Sequence, residues 1–462
     1  MNSPQTVLSF NLESEAQENI TRFSGLPLVA EAFRALGLDR ECLDRLQLKE
    51  RDRGLNSAQM VESFLMLFAA GGENLDDFCV LRGDKPLSRL VEHNFPSPTT
   101  AWRFLRCFEE EKPCNLNPKG VFLPQESVEL MQLGAVNRRL IKQVAGRRGE
   151  AKVATIDIDA KVIESHKKQA QATYLGFPGY QPLSAVWAEL GLVVADEFRD
   201  GNVVAGHQIT RLYRHIHRRY RPLTKKMRVR SDTAGYQHEF LYELVEDGTE
   251  FAIGADMSQE LRRHCEDLDK GAWKPLSEDT HVIRTWAEVS YVPEVPKNRE
   301  HQALDRYVVY RVKKRQGELF ADGDTVKYFA IVTNMQWRGD RLIRWYWEKA
   351  GTIEHCHHVL ARHLGAGVVP SKYFNMNAAY YRLNILCLNL LQAIKLLALD
   401  EELRYARPKR LRFLLFGMAG RIVKHARKIV LRVSSSSPGY QMYRHARERL
   451  AIIATTTAAA ST

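Results

Sequence analysis

Residues 151–165, AKVATIDIDAKVIES, mark the point at which the chain changes from a helical period to an extended one. Val153, Thr155, Asp157 and Asp159 alternate there with Ala154, Ile156 and Ile158, which predicts a strand with two carboxylates on one face and an apolar opposite face. Carboxylates on a buried strand are costly unless they are paired or hold a cation. The segment therefore predicts both the start of a sheet and a charged site upon it.

Downstream, YQPLSAVWAEL and GLVVADEFRDGN read as two more strands, followed by a basic, helix-like segment from Gln208 to Tyr220. MRVRSDTAGY is a short strand ending at Asp232, GYQHEFLYELVED a helix, and FAIGADM a strand ending at Asp256. From Ser258 to Asn334 the pattern is β-rich with Pro, Asn, Gly and Asp turns, which predicts a small antiparallel insertion. Helical spacing returns in RLIRWYWEKAGTIEHCHHVLARHL, which carries Glu354. A long apolar helix follows from Asn377 to Leu399.

Upstream, GLPLVAEAFRALGL, SAQMVESFLMLFAAGG and SPTTAWRFLRCFEEEK show helical periodicity, with Ser97 an N-cap before Pro98. A helix-turn-helix reader presenting Trp102, Arg103 and Arg106 and a plain helical bundle fit this region equally well. The expected organisation is a helical DNA-binding region over 1–150, a core over 151–257 and 341–400 interrupted by a β-rich insertion over 258–340, and a basic helical region over 401–462.

The 462 residues carry a formal charge of +12, and its location matters more than its size. Between Leu403 and Leu450 there are 13 Lys and Arg against a single acid, Glu448, which accounts for the whole excess. Arg211 to Arg230 holds nine Lys and Arg and no acid. Such tracts point to a polyanion partner, with Arg218, Arg219, Lys225, Lys226, Arg228 and Arg230 bordering the Asp232 strand as DNA contacts.

Other classes are excluded in turn. Seven scattered cysteines without a CxxC pair argue against a disulfide framework or zinc ribbon, and imply a reducing, cytoplasmic setting. His355, Cys356, His357 and His358 have no second Cys/His cluster to complete a zinc site. The opening MNSPQTVLSFNLESEAQ does not read as a leader, and Asn384–Leu399, broken by Asn389, Gln392 and Lys395, is shorter than the ~20 residues a membrane helix needs. No GxxxxGK[ST] or strand-GxGxxG-helix motif suggests a nucleotide cofactor.

Three acidic positions stand out: Asp157 or Asp159 on the first strand, Asp232 ending the fourth, and Glu354 opening a late helix. Neighbouring strands bring distant carboxylates to one edge, where they repel unless divalent cations neutralise them. Hard oxygen ligands select Mg²⁺ or Mn²⁺, and two such ions ~3.5–4 Å apart clamp the attacking and leaving oxygens of a phosphodiester. A basic chain with a carboxylate site has a nucleic-acid backbone as its natural substrate.

TIDIDAKVIESHK, GYQPLSAVWAE, VVADEFRDGNVVAG, VRSDTAGYQHEFL, YWEKAGTIEHCHHVL and NAAYYRLNILCLNLL together resemble the bacterial insertion-sequence transposases with an RNase H-like DDE core, in the branch with a β-strand insertion before the final glutamate. The resemblance spans roughly Lys152 to Leu399. It implies an α/β fold with an RNase H-like mixed sheet flanked by helices. The implied activity is cut-and-paste transposition with two Mg²⁺ or Mn²⁺ ions, cleavage at terminal inverted repeats through a DNA hairpin, and joining of the 3′-hydroxyl to target DNA. The implied partners are double-stranded DNA and a second copy of the chain. A non-catalytic DNA-binding protein on the same fold and a structure-specific nuclease without strand transfer are the alternatives.

Carried onto this sequence, the resemblance implies Asp159, Asp232 and Glu354 as the metal-binding triad, with Asp157 the second choice for the first member. The family has a small residue and then Thr after its first aspartate, where this chain has Ala160 and Lys161. Asp256 competes with Asp232. Tyr346 and Lys349 keep the family's mutual spacing, but Glu354 falls one residue late, and the later lysine position is Ala361, followed by Arg362. Lys349 and Arg362 are thereby expected at phosphates. Trp273, Trp286 and Trp337, in or beside the insertion, are candidates for stacking on an unpaired base, Trp286 first, with core packing as the alternative.

Overall fold

Ala151–Ala160 forms the expected strand, β1, and it lies inside a nine-stranded sheet. The computed structural model describes residues 19–48, 54–109, 123, 125–149, 151–291, 306–314, 326–426 and 428–459. Cys114 and the opening segment fall outside these residues. The other core strands are β2 (Leu183–Trp187), β3 (Leu192–Glu197), β4 (Thr224–Ser231) and β5 (Glu250–Ala255). β1 runs parallel to β4 and β4 parallel to β5, while β2 runs antiparallel to both β1 and β3. The resulting order 3-2-1-4-5, with only β2 reversed, is an RNase H-like mixed sheet.

The insertion supplies β6 (Lys274–Glu278), β7 (Val282–Val289), β8 (Arg306–Lys314) and β9 (Val326–Thr333), each antiparallel to the next. β9 pairs with β5, Ala330 opposite Ala255 and Thr333 opposite Ala252, so the insertion extends the core sheet across its edge. The pairing covers the open edge of β5 and satisfies its backbone groups.

The apolar helix over Phe374–Leu397 is buried for most of its length between the sheet and the N-terminal helices Ser57–Ala70 and Val128–Arg148. Its polar residues have local work. Asn389 accepts from the Val193 amide at 2.8 Å and donates to the Val193 carbonyl at 2.8 Å, closing the free side of edge strand β3, and it also donates to Asn137 at 2.7 Å. Arg382, also buried, pairs with Glu126 and Asp196, each at 2.8 Å. These bonds fasten the helical N-terminal region to the sheet. As expected, Ser97 caps the helix Pro98–Arg106, its hydroxyl accepting from Thr100 at 3.1 Å.

The C-terminal stretch differs from its helical expectation. It contains a hairpin, β10 (Gly420–His425) and β11 (Lys428–Val433), which pairs with the two-residue strand Ile20–Thr21. The run KIVLRV, rich in β-branched residues, favours the extended state there. The last helix, Gly439–Ala459, returns to the N-terminal helix Pro27–Ala35, with Thr457 donating to the Ala35 carbonyl at 2.8 Å. Among the described residues no helix is long and apolar enough to cross a membrane.

Candidate active site

The sheet brings two of the predicted acids together by register. Ile158 of β1 faces Ser231 of β4, so the next residue on each parallel strand, Asp159 and Asp232, emerge side by side at the same sheet end. Asp232 leaves the strand as a cap, its Oδ1 accepting from the Ala234 amide at 3.1 Å. Glu354 arrives from the other side, exposed at the end of a π-helical turn, Ala350–Glu354, between the helices Gly339–Trp347 and His355–His363.

Burial pushes the Asp159 carboxyl up to about 6, and the negative charges of Asp232 and Glu354 add to the rise while Lys349 opposes it. The three acids therefore share one field, in which the charged form of Asp159 is disfavoured. Lys349, itself buried, places Nζ at 3.4 Å from Asp159 Oδ2. His357 Nδ1 lies 3.9 Å from the same oxygen. Burial, helped by Lys161 and Lys349, pushes the His357 imidazole down to about 3, so it is neutral near pH 7.

Asp157, the other candidate on β1, is fully buried and engaged elsewhere. Its in-register neighbour Arg230 binds it through two bonds, Nε to Oδ1 at 2.6 Å and Nη2 to Oδ2 at 2.9 Å, and Thr352 donates its hydroxyl to it as well. Arg230 also donates to the Trp345 carbonyl, with its guanidinium 4.8 Å from the Trp345 ring centroid. Arg230, expected as a DNA contact, is thus corrected: at 1 % exposure it cannot reach a phosphate.

Carboxylate oxygens are the donors that Mg²⁺ or Mn²⁺ takes, and a rim of acids with one destabilised charge suits a divalent cation. Among the described residues, however, no group of three or more His, Cys, Asp or Glu stands close enough to hold an ion. The donor chemistry fits the metal; in this arrangement the Lys349 ammonium is the cation that faces Asp159.

The remaining expected contacts divide by burial. Arg218, Arg219, Lys225 and Arg362 are exposed. Lys226, also exposed, and the half-buried Arg228 each pair with Glu250 at 2.7 Å, Glu250 being the in-register neighbour of Arg228 on β5. Tyr346 turns inward and donates to the Ser231 carbonyl at 3.2 Å, and burial pushes its phenol up. Trp286, expected to stack on a base, is corrected to a core residue: it is 1 % exposed and packs with Val308, Ile331 and Leu342. Trp273 is also buried, while the half-exposed Trp337 lies between Arg228 at 4.7 Å and Arg341 at 4.2 Å. Asp256 is exposed beyond the end of β5. Thr352 and Trp345, which hold the buried pair, carry no motif by which the sequence marks them.

A family model described as transposase DDE domain group 1 matches residues 13–455, nearly the whole chain. No curated protein matches it. Among solved structures, the chain is similar to the piggyBac transposase in a cryo-EM synaptic complex with hairpin DNA, at 9 % identity and a TM-score of 0.45, covering 95 % of this chain and 83 % of that one. It is also similar to the Mos1 mariner paired-end complex with Mn, at 16 % identity and a TM-score of 0.16, covering 44 % of this chain and 61 % of that one. These likenesses are too distant to assign residues. The extent of the family match is decisive: the chain belongs to the DDE transposases.

Proposed function

We propose that this transposase moves a bacterial insertion sequence by cut-and-paste, cutting at the terminal inverted repeats, passing through a hairpin and joining each freed 3′-hydroxyl to target DNA. The supporting observation is the register of β1 on β4, which sets Asp159 beside Asp232 at one sheet end within the field of Glu354. These three carboxylates would hold two Mg²⁺ or Mn²⁺ ions, which when bound supply Lewis acidity at the phosphodiester. Lys349 meanwhile keeps the Asp159 carboxylate ionised and aimed at the rim. The neutral His357 closes the protein side of the site, and Arg218, Arg219 and Arg362 offer phosphate contacts on the exposed surface. A pair of chains, one at each element end, performs the reaction.

The test is Mg²⁺-dependent cleavage and strand transfer on the DNA ends that flank the gene. Asp232→Ala or Glu354→Ala should lower cleavage by at least about a hundredfold, with affinity for those ends intact. Full cleavage by both variants sinks the triad. Cleavage without joining in the parent chain reassigns the protein as a nuclease.

A further inference from the structure

Lys349 and His357 both approach the Asp159 carboxylate, at 3.4 Å and 3.9 Å, although they lie eight residues apart in one helical run. In a regular α-helix each residue turns about 100°, so eight residues leave the second side chain about 80° off the face of the first. The π turn at Ala350–Glu354 removes the discrepancy. A π turn accommodates one residue more than an α turn, so the pair stands as though seven apart, within about 20° of one face. The same correction acts on Glu354. Five residues of α-helix would carry it about 140° from Lys349, and absorbing one brings it to about 40°. The late position of Glu354 in the sequence is thus compensated by a local change of helix.

The turn is held from the sheet. Thr352 sits within it, and its hydroxyl lies 3.0 Å from the Lys349 carbonyl as well as against the Asp157 carboxylate. The single hydroxyl proton goes to one of these acceptors at a time. Asp157 is fixed in turn by the two bonds from Arg230, which also binds the Trp345 carbonyl ahead of the turn. One buried ion pair therefore grips the helical run ahead of its irregular turn, at Trp345, and within it, at Thr352. Gly351, the second residue of the turn, faces open space: a Cβ there would meet nothing within 4 Å.

We propose that Arg230, Asp157 and Thr352 form a clamp that holds a one-residue π turn, that the turn sets Glu354 onto the Lys349 face of the site, and that Gly351 is the residue the turn absorbs. Thr352 is accordingly a positioning residue. The proposal rests on the triad reading above for its catalytic consequence, and on the helix register alone for its structural one.

The experiment compares the full chain with Gly351 deleted, with Thr352→Val, with Thr352→Ser and with the deletion and Thr352→Val together. In a crystal structure of the deleted chain the run should be α-helical throughout, with Lys349 and His357 still on Asp159. Displacement of either from Asp159 overturns the proposal, whether or not the protein cuts DNA. In cleavage, the deletion should retain activity. Thr352→Val should lower kcat by about a hundredfold with KM for the DNA ends unchanged, the cost of a small misplacement of Glu354, and Thr352→Ser should restore it. Once the turn is gone its clamp has nothing to hold, so in the deleted chain Thr352→Val should cost no more than about twofold. An equal loss in both chains, or full activity of Thr352→Val in the parent, overturns the proposal. If the deleted chain does not fold, the Val and Ser variants in the parent decide. If the parent cuts nothing under Mg²⁺ or Mn²⁺, the triad reading fails and the crystal structure alone decides the register.

Discussion

Asp157 and Asp159 stand two residues apart on the same face of β1, and each meets a cation, yet they belong to different parts of the molecule. Asp157 lies in a closed pair, bound twice by a planar guanidinium and wholly removed from water. Asp159 lies at an open rim, held by one ammonium and sharing its field with two further acids. A bidentate partner with full burial fixes geometry, whereas a single contact beside like charges leaves a carboxylate that a second cation can recruit. The same division runs through the basic tract. Arg230 is consumed within the sheet and Arg228 and the exposed Lys226 share Glu250, while Arg218 and Arg219 remain on the surface.

The division is most easily broken by removing the two cations in turn. Arg230→Met leaves a buried carboxylate with only a hydroxyl against it, and should cost about 3–5 kcal/mol, seen as a large fall in the thermal midpoint. Lys349→Met should cost about 1 kcal/mol or less, because Asp159 at the rim can take up a proton. Comparable losses would show that both aspartates are structural and that the open site is misread.

This contrast also measures what the sequence discloses. The alternation in TIDIDA announces the strand and its charged face, and SDTAGY announces the aspartate at the end of β4, because period and turn chemistry are local. Which of the two β1 aspartates is closed depends on Arg230 standing beside Asp157 and on Thr352 arriving 195 residues later. Neither leaves a local trace. The one-residue delay of Glu354 shows as a departure from the spacing that the resemblance implies, but its resolution by a π turn is a property of the helix once Trp345 and Thr352 are anchored. The insertion strands were equally plain as strands, and their joining to β5 was not, since pairing partners distant in sequence carry no periodic signal. Trp286 illustrates the remaining ambiguity: a tryptophan beside basic residues looks the same whether it faces DNA or, as here, Val308 and Leu342.

A smaller effect sharpens the comparison through pH. Asp159 has its folded value pushed up to about 6 from 3.8, so the folded chain binds this proton more tightly than the unfolded one. The stability it contributes is present below the unfolded value and lost as pH rises through about 6, with a magnitude on the order of 3 kcal/mol. Asp159→Asn removes that loss. With metal chelated, the variant should match the parent near pH 4 and exceed it in thermal midpoint near pH 7. A constant difference between the two across this range would mean that Asp159 is not the strained acid of the rim.

The smallest expected effect concerns the cations that the sheet does not consume. A lysine or arginine that neutralises a phosphate releases a condensed counterion, so each lost contact lowers the slope of log affinity against log salt by about 1. Arg218 and Arg219 extend from the exposed side of the helix Ile209–Tyr220 and should each show this change when replaced by alanine. Lys226 and Arg228 already share the single carboxylate of Glu250, so one of their two charges is offset before DNA arrives and one is left between them for a phosphate. Their alanine variants should each change the slope by about half as much. Equal slopes for the four variants would mean that DNA binding pulls Lys226 and Arg228 away from Glu250, and the line between closed and open charges would then have to be drawn inside the buried pair alone.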